Sequence, residues 1–425
     1  MSENTSNMFK ILPIFIFISF LSLTLSAQNG NAPYSRLGIG QLAESGSLYN
    51  IGMGGLGVSN GSQAYINLIN PALLTRNTLT AYEAAANAEY KIISSNNASE
   101  RNSTGNLSYL AFAFPLTRHW TLGVGLKPFS NVNYIDRFEQ KIPQRPSFIE
   151  YSYEGTGGVN QAFISSGFLL TKGLSVGIQA NYNFGAINTA SISRIIDNQL
   201  SYAVALYEQT NFGDLSYKTG IAYRVRVGKE TSLNFGAVYD LEANLAVKKF
   251  RSAQRRDASG QIFSSDTISR DLRGSVLLPA KYGFGISLQR PFKYTVGIDL
   301  TFQDWSSFTG LILRDTLQSS QKITVGGEIT PNIASIGSYL ARITYRAGVT
   351  HTILPYLLNG NSLNETSISL GFSLPVNRGL SSINMAFIGG QRGVAGENTL
   401  KETFFRVHLG LTVNDQSWFY RRKIR

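Results

Sequence analysis

Phe405-Arg406-Val407-His408-Leu409-Gly410-Leu411-Thr412-Val413-Asn414 is the stretch whose reading decides the fold. A strand sends successive side chains to opposite faces. Phe405, Val407, Leu409, Leu411 and Val413 then make one continuous apolar face, and Arg406, His408, Gly410, Thr412 and Asn414 share the other. In a soluble sandwich the apolar face would meet a second sheet. In an outer-membrane barrel it meets lipid, and the polar face lines a lumen.

The same alternation recurs upstream. In 338–350, Ala341, Ile343, Tyr345, Ala347 and Val349 oppose Arg342, Thr344, Arg346 and Gly348. In 366–376, Ile368, Leu370, Phe372, Leu374 and Val376 oppose Ser367, Ser369, Gly371 and Ser373. In 212–226, Leu215, Tyr217, Thr219, Ile221, Tyr223 and Val225 oppose Lys218, Gly220, Ala222, Arg224 and Arg226. About fourteen such segments follow residue 78: 79–93, 105–116, 119–133, 149–171, 173–196, 212–226, 231–248, 277–290, 293–308, 321–331, 338–350, 366–376, 380–391 and 401–414. The glycines at 155, 157 and 158 make 149–171 either two strands or one bent strand.

Short turns carry turn chemistry: Thr117-Arg118, Lys172-Gly173, Gly228-Lys229-Glu230, Arg290-Pro291-Phe292 and Asn377-Arg378-Gly379. Long polar connections are expected between them at 94–104, 134–148, 197–211, 249–276, 309–320, 351–365 and 392–400. Short connections on one rim and long ones on the other mark a bacterial outer-membrane barrel. The expected fold is therefore all-β: a fourteen-stranded antiparallel transmembrane barrel at residues 79–414. Tyr90, Trp120, Tyr282, Tyr294, Trp305 and Trp418 suit its interfacial girdle.

Only 15% of the 425 residues are charged, yet the one long apolar run is Ile11–Leu25. It follows Lys10 and ends at Ser26-Ala27, so residues 1–27 read as a cleaved signal peptide, with Gln28 opening the mature chain. The absence of cysteine excludes a lipoprotein anchor, disulfides and Cys-bound metals. The net charge of +12 suits contact with anionic lipid and lipopolysaccharide, with Arg251, Arg255 and Arg256 forming a basic loop tip. Residues 415–425 read as an aromatic and basic periplasmic tail, Trp418-Phe419-Tyr420 followed by Arg421-Arg422-Lys423-Ile424-Arg425.

Residues 28–78 do not alternate and read as a folded insert. Gly52-Met53-Gly54-Gly55-Leu56-Gly57 fits the dinucleotide pattern G-x-G-x-x-G, but that motif needs a strand before it and a helix after it, and Val58-Ser59-Asn60-Gly61-Ser62 proposes a turn. The same glycine-rich stretch, followed by Asn67-Leu68-Ile69-Asn70-Pro71-Ala72-Leu73-Leu74, resembles the N-terminal hatch of the FadL-type outer-membrane transport family. The opening Ala32-Pro33-Tyr34-Ser35-Arg36-Leu37-Gly38-Ile39-Gly40 and the ending Asn414–Lys423 resemble FadL-related barrels of the Bacteroidota, and more distantly PorV, a barrel that serves a protein-secretion machine. The resemblance implies a hatch inside the lumen that moves when a hydrophobic ligand binds. Gly52, Gly54, Gly55, Asn70, Pro71 and Ala72 would be its hatch and gate residues. The alternative is a static plug. Pro71 restricts Asn70 to extended geometry, and the Asn70 amide is expected to hold a hydrogen bond in the lumen.

Inward positions supply an expected lumen charge network: Lys218, Arg224, Arg226, Arg342, Arg346 and Arg406 against Glu83, Glu89, Asp240, Glu242 and Asp299. Barrel closure would bring Glu83 or Glu89 near Arg406, and the turn at 227–230 would bring Lys218 toward Asp240. Such pairing is the ordinary outcome for buried charge.

No enzyme chemistry, cofactor or metal site is expected, since His119, His351 and His408 stand apart. No nucleic-acid motif accompanies the basic charge. Two roles remain. One is passive uptake of small hydrophobic compounds through a hatch-gated lumen. The other is an accessory barrel bound to a larger outer-membrane complex for protein export or assembly.

Overall fold

A computed structural model describes residues 31–415 apart from 97, 197–201, 258, 311–316, 359, 377–380, 397 and 398. The expected signal peptide, the turn Asn377-Arg378-Gly379 and the tail from residue 416, Trp418 included, lie outside the described residues.

In chain order the strands are β1 (Gln41–Leu42), β2 (Thr80–Ser94), β3 (Ser99–Pro115), β4 (Trp120–Lys141), β5 (Phe148–Leu169), β6 (Leu174–Ile195), β7 (Ala203–Arg226), β8 (Ser232–Asp240) and β9 (Ala243–Arg256). There follow β10 (Ile262–Leu278), β11 (Lys281–Arg290), β12 (Tyr294–Asp304), β13 (Ser319–Ile329), β14 (Thr344–Leu358), β15 (Asn361–Pro375), β16 (Ser382–Arg392) and β17 (Lys401–Asp415). All pairings are antiparallel, and β17 pairs with β2 from Lys401↔Ser94 to Asp415↔Thr80, closing the wall. The rim bearing Thr80 and Asp415 is taken as the lower one.

Two wall positions are each built from two consecutive strands. β8 pairs with the lower half of β7 and β9 with its upper half, with a step at Leu241-Glu242. β11 and β10 follow the same step against β8 and β9. The wall therefore has fourteen positions, the architecture expected from the alternation. β5 is a single strand, with Gly157 and Gly158 at φ +107 and +153.

The burial pattern explains why these segments pair as they do. In β17, Phe405, Leu409 and Val413 are exposed while Glu402, Arg406, His408 and Thr412 are buried. Ile178, Ile221, Phe284, Val296, Val325, Val349 and Ile368 are likewise exposed around the barrel. A soluble protein would not leave such a belt uncovered. Lipid covers it at no cost, whereas every peptide group in hydrocarbon must find a partner in the ladder. Trp305 departs from the expected girdle: it is buried with Tyr34, Leu317 and Tyr356.

The expected long connections are corrected. Much of 94–104, 134–148, 197–211, 249–276 and 351–365 is strand, and hairpins such as that between Lys141 and Phe148 close the upper rim. Polar residues there keep alternating and the ladder continues to satisfy their backbone. Strands of 22 residues (β4, β5, β6) at about 40° tilt stand about 55 Å tall, well above a lipid band of about 25 Å. At the lower rim the strand expected to begin at 338 begins at Thr344, after a 3₁₀ turn at Leu340–Arg342. Strand length, not loop length, therefore distinguishes the two sides.

Among the described residues the two longest lapses in the ladder lie along β3 and β10. β3 pairs with β4 only from Leu110↔Leu126 to Pro115↔Thr121, leaving Ser99–Tyr109 bonded to β2 alone. β10 rises beyond the short β12, meeting the next segment only at the bridge Leu277↔Thr309.

Replacing outward Ile368 with Arg should cost about 2–4 kcal/mol at mid-bilayer. The check is the urea midpoint of the barrel in bilayers or its heat-modifiable gel mobility; Ser367→Arg, pointing inward, should perturb bilayer insertion far less.

Candidate functional site: a bonded lumen beneath a charged chamber

Residues 31–79 enter the lumen and touch the wall around its circumference. Their apolar side chains Leu48, Ile51, Ile66, Leu68 and Leu74 pack on the wall residues Ala81, Ala85, Ala111, Ala113, Phe163 and Ala386. Alanine at inward positions keeps the wall thin enough to admit them. At several wall positions only glycine fits: a Cβ on Gly348, for example, would sit 2.2 Å from the Met53 carbonyl carbon, and one on Gly220 would sit 2.1 Å from Asn70 Oδ1.

Asn70 is fully buried. Its Nδ2 donates to the carbonyls of Val58 (2.7 Å) and of Ile221 on the wall (3.1 Å), and its Oδ1 accepts from Ala72 N (3.0 Å). Asn70 thereby caps the 3₁₀ turn Pro71–Arg76, where Pro71 starts the turn without needing a donor. Pro71 and Ala72 sit against Gly177, and Ala72 is fully buried. Gly52 follows a short helix, Leu48–Ile51, and abuts Gly371. Gly54 and Gly55 adopt φ +75 and +91, which side-chain-bearing residues rarely reach. Thr350 Oγ1 donates to the Gly54 carbonyl at 2.7 Å.

Charged wall residues bond the same segment. Asp299 accepts from the amides of Gly57 (2.7 Å) and Val58 (2.8 Å). Glu83 accepts from Ile66 N (2.8 Å) and from Tyr109 Oη (3.0 Å). Arg346 pairs with Glu328 at 3.1 Å and lies over the stacked rings of Tyr49 and Tyr65. Tyr49 Oη donates to Glu328 Oε1 at 3.1 Å. Burial and the Glu328 carboxylate push the Tyr49 phenol well above its ordinary range, which keeps it a donor.

Of the expected ion pairs, Arg406–Glu89 and Lys218–Asp240 (3.3 Å) both form. Lys281 joins Asp240 at 2.7 Å. Other members of the expected network are placed differently. Glu83 and Asp299 bond backbone and hydroxyl groups rather than cations. Arg224 bonds the neutral Asn234 and Gln289, at 3.1 and 3.3 Å. Arg226 and Glu242 are exposed, because β7 ends at the lower rim and Glu242 lies on the step between β8 and β9. Arg342 precedes β14 and stacks on Tyr339.

Apart from the Arg406–Glu89 pair, the largest network was not anticipated. Arg406 also binds Glu44 at 2.6 Å, Lys91 joins Glu89 (3.1 Å) to Glu402 (3.6 Å), and Arg392 joins Glu402 (3.0 Å) to Glu365 (Nε–Oε2 2.8 Å). Glu365, Arg392, Glu402 and Lys91 share the inward parity of Ser367, Asn384, Arg406 and Glu89. Extending the two-residue period one position past the assumed strand ends would have found Glu365 and Arg392; Lys91 and Glu402 lie inside the expected strands 79–93 and 401–414 and follow from parity alone. Glu44, on the irregular segment, had no such signal.

Above the segment lies a chamber of about 730 Å³. Its lining includes Glu44, Lys91, Lys218, Lys281, Lys322 and Arg392, together with Asn102 and Thr104 of β3 and Asn131 of β4. A second recess of about 280 Å³, bordered by Arg76, Arg224 and Arg342, lies on the other side of the segment.

Asn70→Ala should orphan the Val58 carbonyl and the Ala72 amide and weaken docking of residues 31–79 by about 1–3 kcal/mol. Faster protease clipping in that segment, with the barrel intact, is the expected readout. Glu44 gives a pH test. Burial opposes its ionisation, but Arg406 and His408 outweigh burial and hold the carboxyl well below the ordinary range. Its contribution is complete above the usual glutamate pKa of about 4.3 and is lost as pH falls below that. Glu44→Gln should lower the urea midpoint at pH 7, and the gap to the parent should narrow as pH falls through 4 and below.

A family model described as BamG matches residues 8–425. No curated protein sequence matches the chain. Among solved structures, the Ralstonia pickettii toluene transporter TbuX is similar at 15% identity and TM-score 0.57, over 87% of this chain and 98% of its own. A Pseudomonas aeruginosa FadL homologue gives 11% identity and TM-score 0.57, over 88% and 98%. The Pseudomonas putida toluene transporter TodX gives 16% and 0.52, over 88% and 98%. At these identities the likeness establishes the fold. The chain belongs to the BamG family and has the FadL-type outer-membrane β-barrel.

Proposed function

We propose that this barrel is a plugged, non-enzymatic accessory subunit of a larger outer-membrane complex for protein export or assembly. The observation that supports the reading most is the ring of ionic and hydrogen-bonding contacts that holds residues 31–79 to the wall beneath a charge-lined chamber. A path for hydrophobic compounds needs contiguous apolar lining. Here Glu89, Lys91, Arg392 and Arg406 interrupt one side of the chamber, and Lys218, Lys281 and Lys322 the other. In this reading residues 1–27 are removed on export, the lower rim faces the periplasm, and residues 28–78 act as a static plug. Lipid surrounds the exposed belt, and lipopolysaccharide meets the upper rim.

Passive uptake of small hydrophobic compounds is the second reading. The likeness in fold to the toluene transporters TbuX and TodX and the gap in pairing between β3 and β4 favour it. Gly52, Gly54, Gly55, Asn70, Pro71 and Ala72 would then form the moving hatch.

Gentle detergent extraction followed by affinity recovery separates the two. The accessory role predicts stoichiometric recovery with a large barrel and no toluene flux in proteoliposomes. Recovery as a lone monomer would overturn it, and toluene flux abolished by a disulfide locking residues 31–79 to the wall would establish uptake.

A further inference from the structure

The gap between β3 and β4 begins at Leu110 and Leu126, five residues above Pro115, or about 13 Å above the lower rim. That height lies inside the lipid band. From there to Ser99, one edge of β3 has no ladder partner among the described residues, while the other edge pairs with β2 up to Ser94. An unpaired row of peptide groups is a template for another strand.

The facing side of the gap is already used in this way. Gln41 and Leu42 pair antiparallel with Asn131 and Ser130, Ala43 N donates to the Phe129 carbonyl (2.9 Å), and Ala32 N donates to the Asn133 carbonyl (2.7 Å). The chain's own residues 31–43 thus cover the edge of β4, whereas their contacts with β3 run through side chains: Asn31 Nδ2 to Glu100 (3.5 Å), and Asn102 Nδ2 to the Asn31 carbonyl (3.5 Å). Under cleavage after Ala27, three residues precede Asn31. They span about 10 Å at most, against about 30 Å for the nine residues Ser99–Leu107 of β3.

The other lapse differs in kind. The free edge of β10 begins above Leu277, about 33 Å from the lower rim and therefore in water. Its register shifts at three places, and Asp271, inside the last of them, takes φ +54. Bulges and charges of this sort blunt an edge against pairing. In β3 the only irregularity is at Ser108, and Ser99–Leu107 pairs with β2 without interruption.

We propose that the free upper edge of β3, Ser99–Leu107, receives an extended strand of a partner protein, which completes the wall by β-augmentation. The inference rests on the accessory reading and identifies where the partner docks. Outward Arg101 and Ser103 flank the added strand on the outside, and Asn102 and Thr104, which line the chamber, flank it within.

The test compares amide hydrogen exchange in the intact extracted complex with exchange in the barrel alone. The expected result is at least tenfold slower exchange for a subset of amides in Ser99–Leu107 in the complex. A benzophenone side chain at Ser103 should cross-link to the partner in cells, while one at lipid-facing Tyr217 should not. A recovered complex with unchanged exchange in this segment overturns the docking site and leaves the accessory reading standing. A cross-link from Ser103 to this chain's own N-terminus, or to a second copy, also overturns it. Failure to recover any complex removes both.

Discussion

Hydrocarbon offers no hydrogen bond to a peptide group, and the architecture follows from that constraint. A spanning chain must bond its backbone to itself, so wall strands pair on both edges through the lipid band, except where β3 and β4 part above Leu110 and Leu126, and β17 returns to β2. The side chains are then sorted by contact. Outward positions meet acyl chains and are apolar; inward positions meet the lumenal segment and water and carry amides, hydroxyls and charge.

The lumen is filled by a segment with almost no regular structure, and its backbone must also find partners. It finds them in the wall. Asp299 takes two consecutive amides, Glu83 takes one, and the carbonyl of Gly54 is taken by Thr350. This accounts for acids such as Glu83 and Asp299 that stand without a cation: their partners are main-chain and hydroxyl donors. The guanidinium of Arg346 performs the complementary task, satisfying Glu328 and Ser373 while covering two tyrosine rings. Removing one partner from such a network leaves the other buried and unpaired, which is why a network of this type favours a fixed arrangement over a sliding one.

The wall was largely legible in the sequence because a strand that separates lipid from a polar lumen has to alternate. Phe405–Asn414 disclosed its two faces, and Arg406–Glu89 and Lys218–Asp240 could be paired from strand order alone. Strand ends were less legible. Above the lipid both faces are wet, so nothing obliges outward residues to be apolar, and the alternation fades while the ladder continues. Glu365 and Arg392 were missed for that reason. Arg342 failed in the opposite sense: it keeps the inward parity of Arg346 but precedes the strand.

By itself the sequence determined a closed β wall with lipid outside and charge inside, because side-chain period and peptide hydrogen bonding are local properties. It also restricted Asn70 to extended backbone, since proline limits its own dihedral and that of the residue before it. Tertiary structure alone decided which wall each lumenal group meets, that β3 and β4 part above Leu110 and Leu126, and that the chamber is ringed by ions. Those outcomes depend on contacts between residues far apart in the chain, such as Glu44 and Arg406 at 362 positions, and no local pattern encodes that distance.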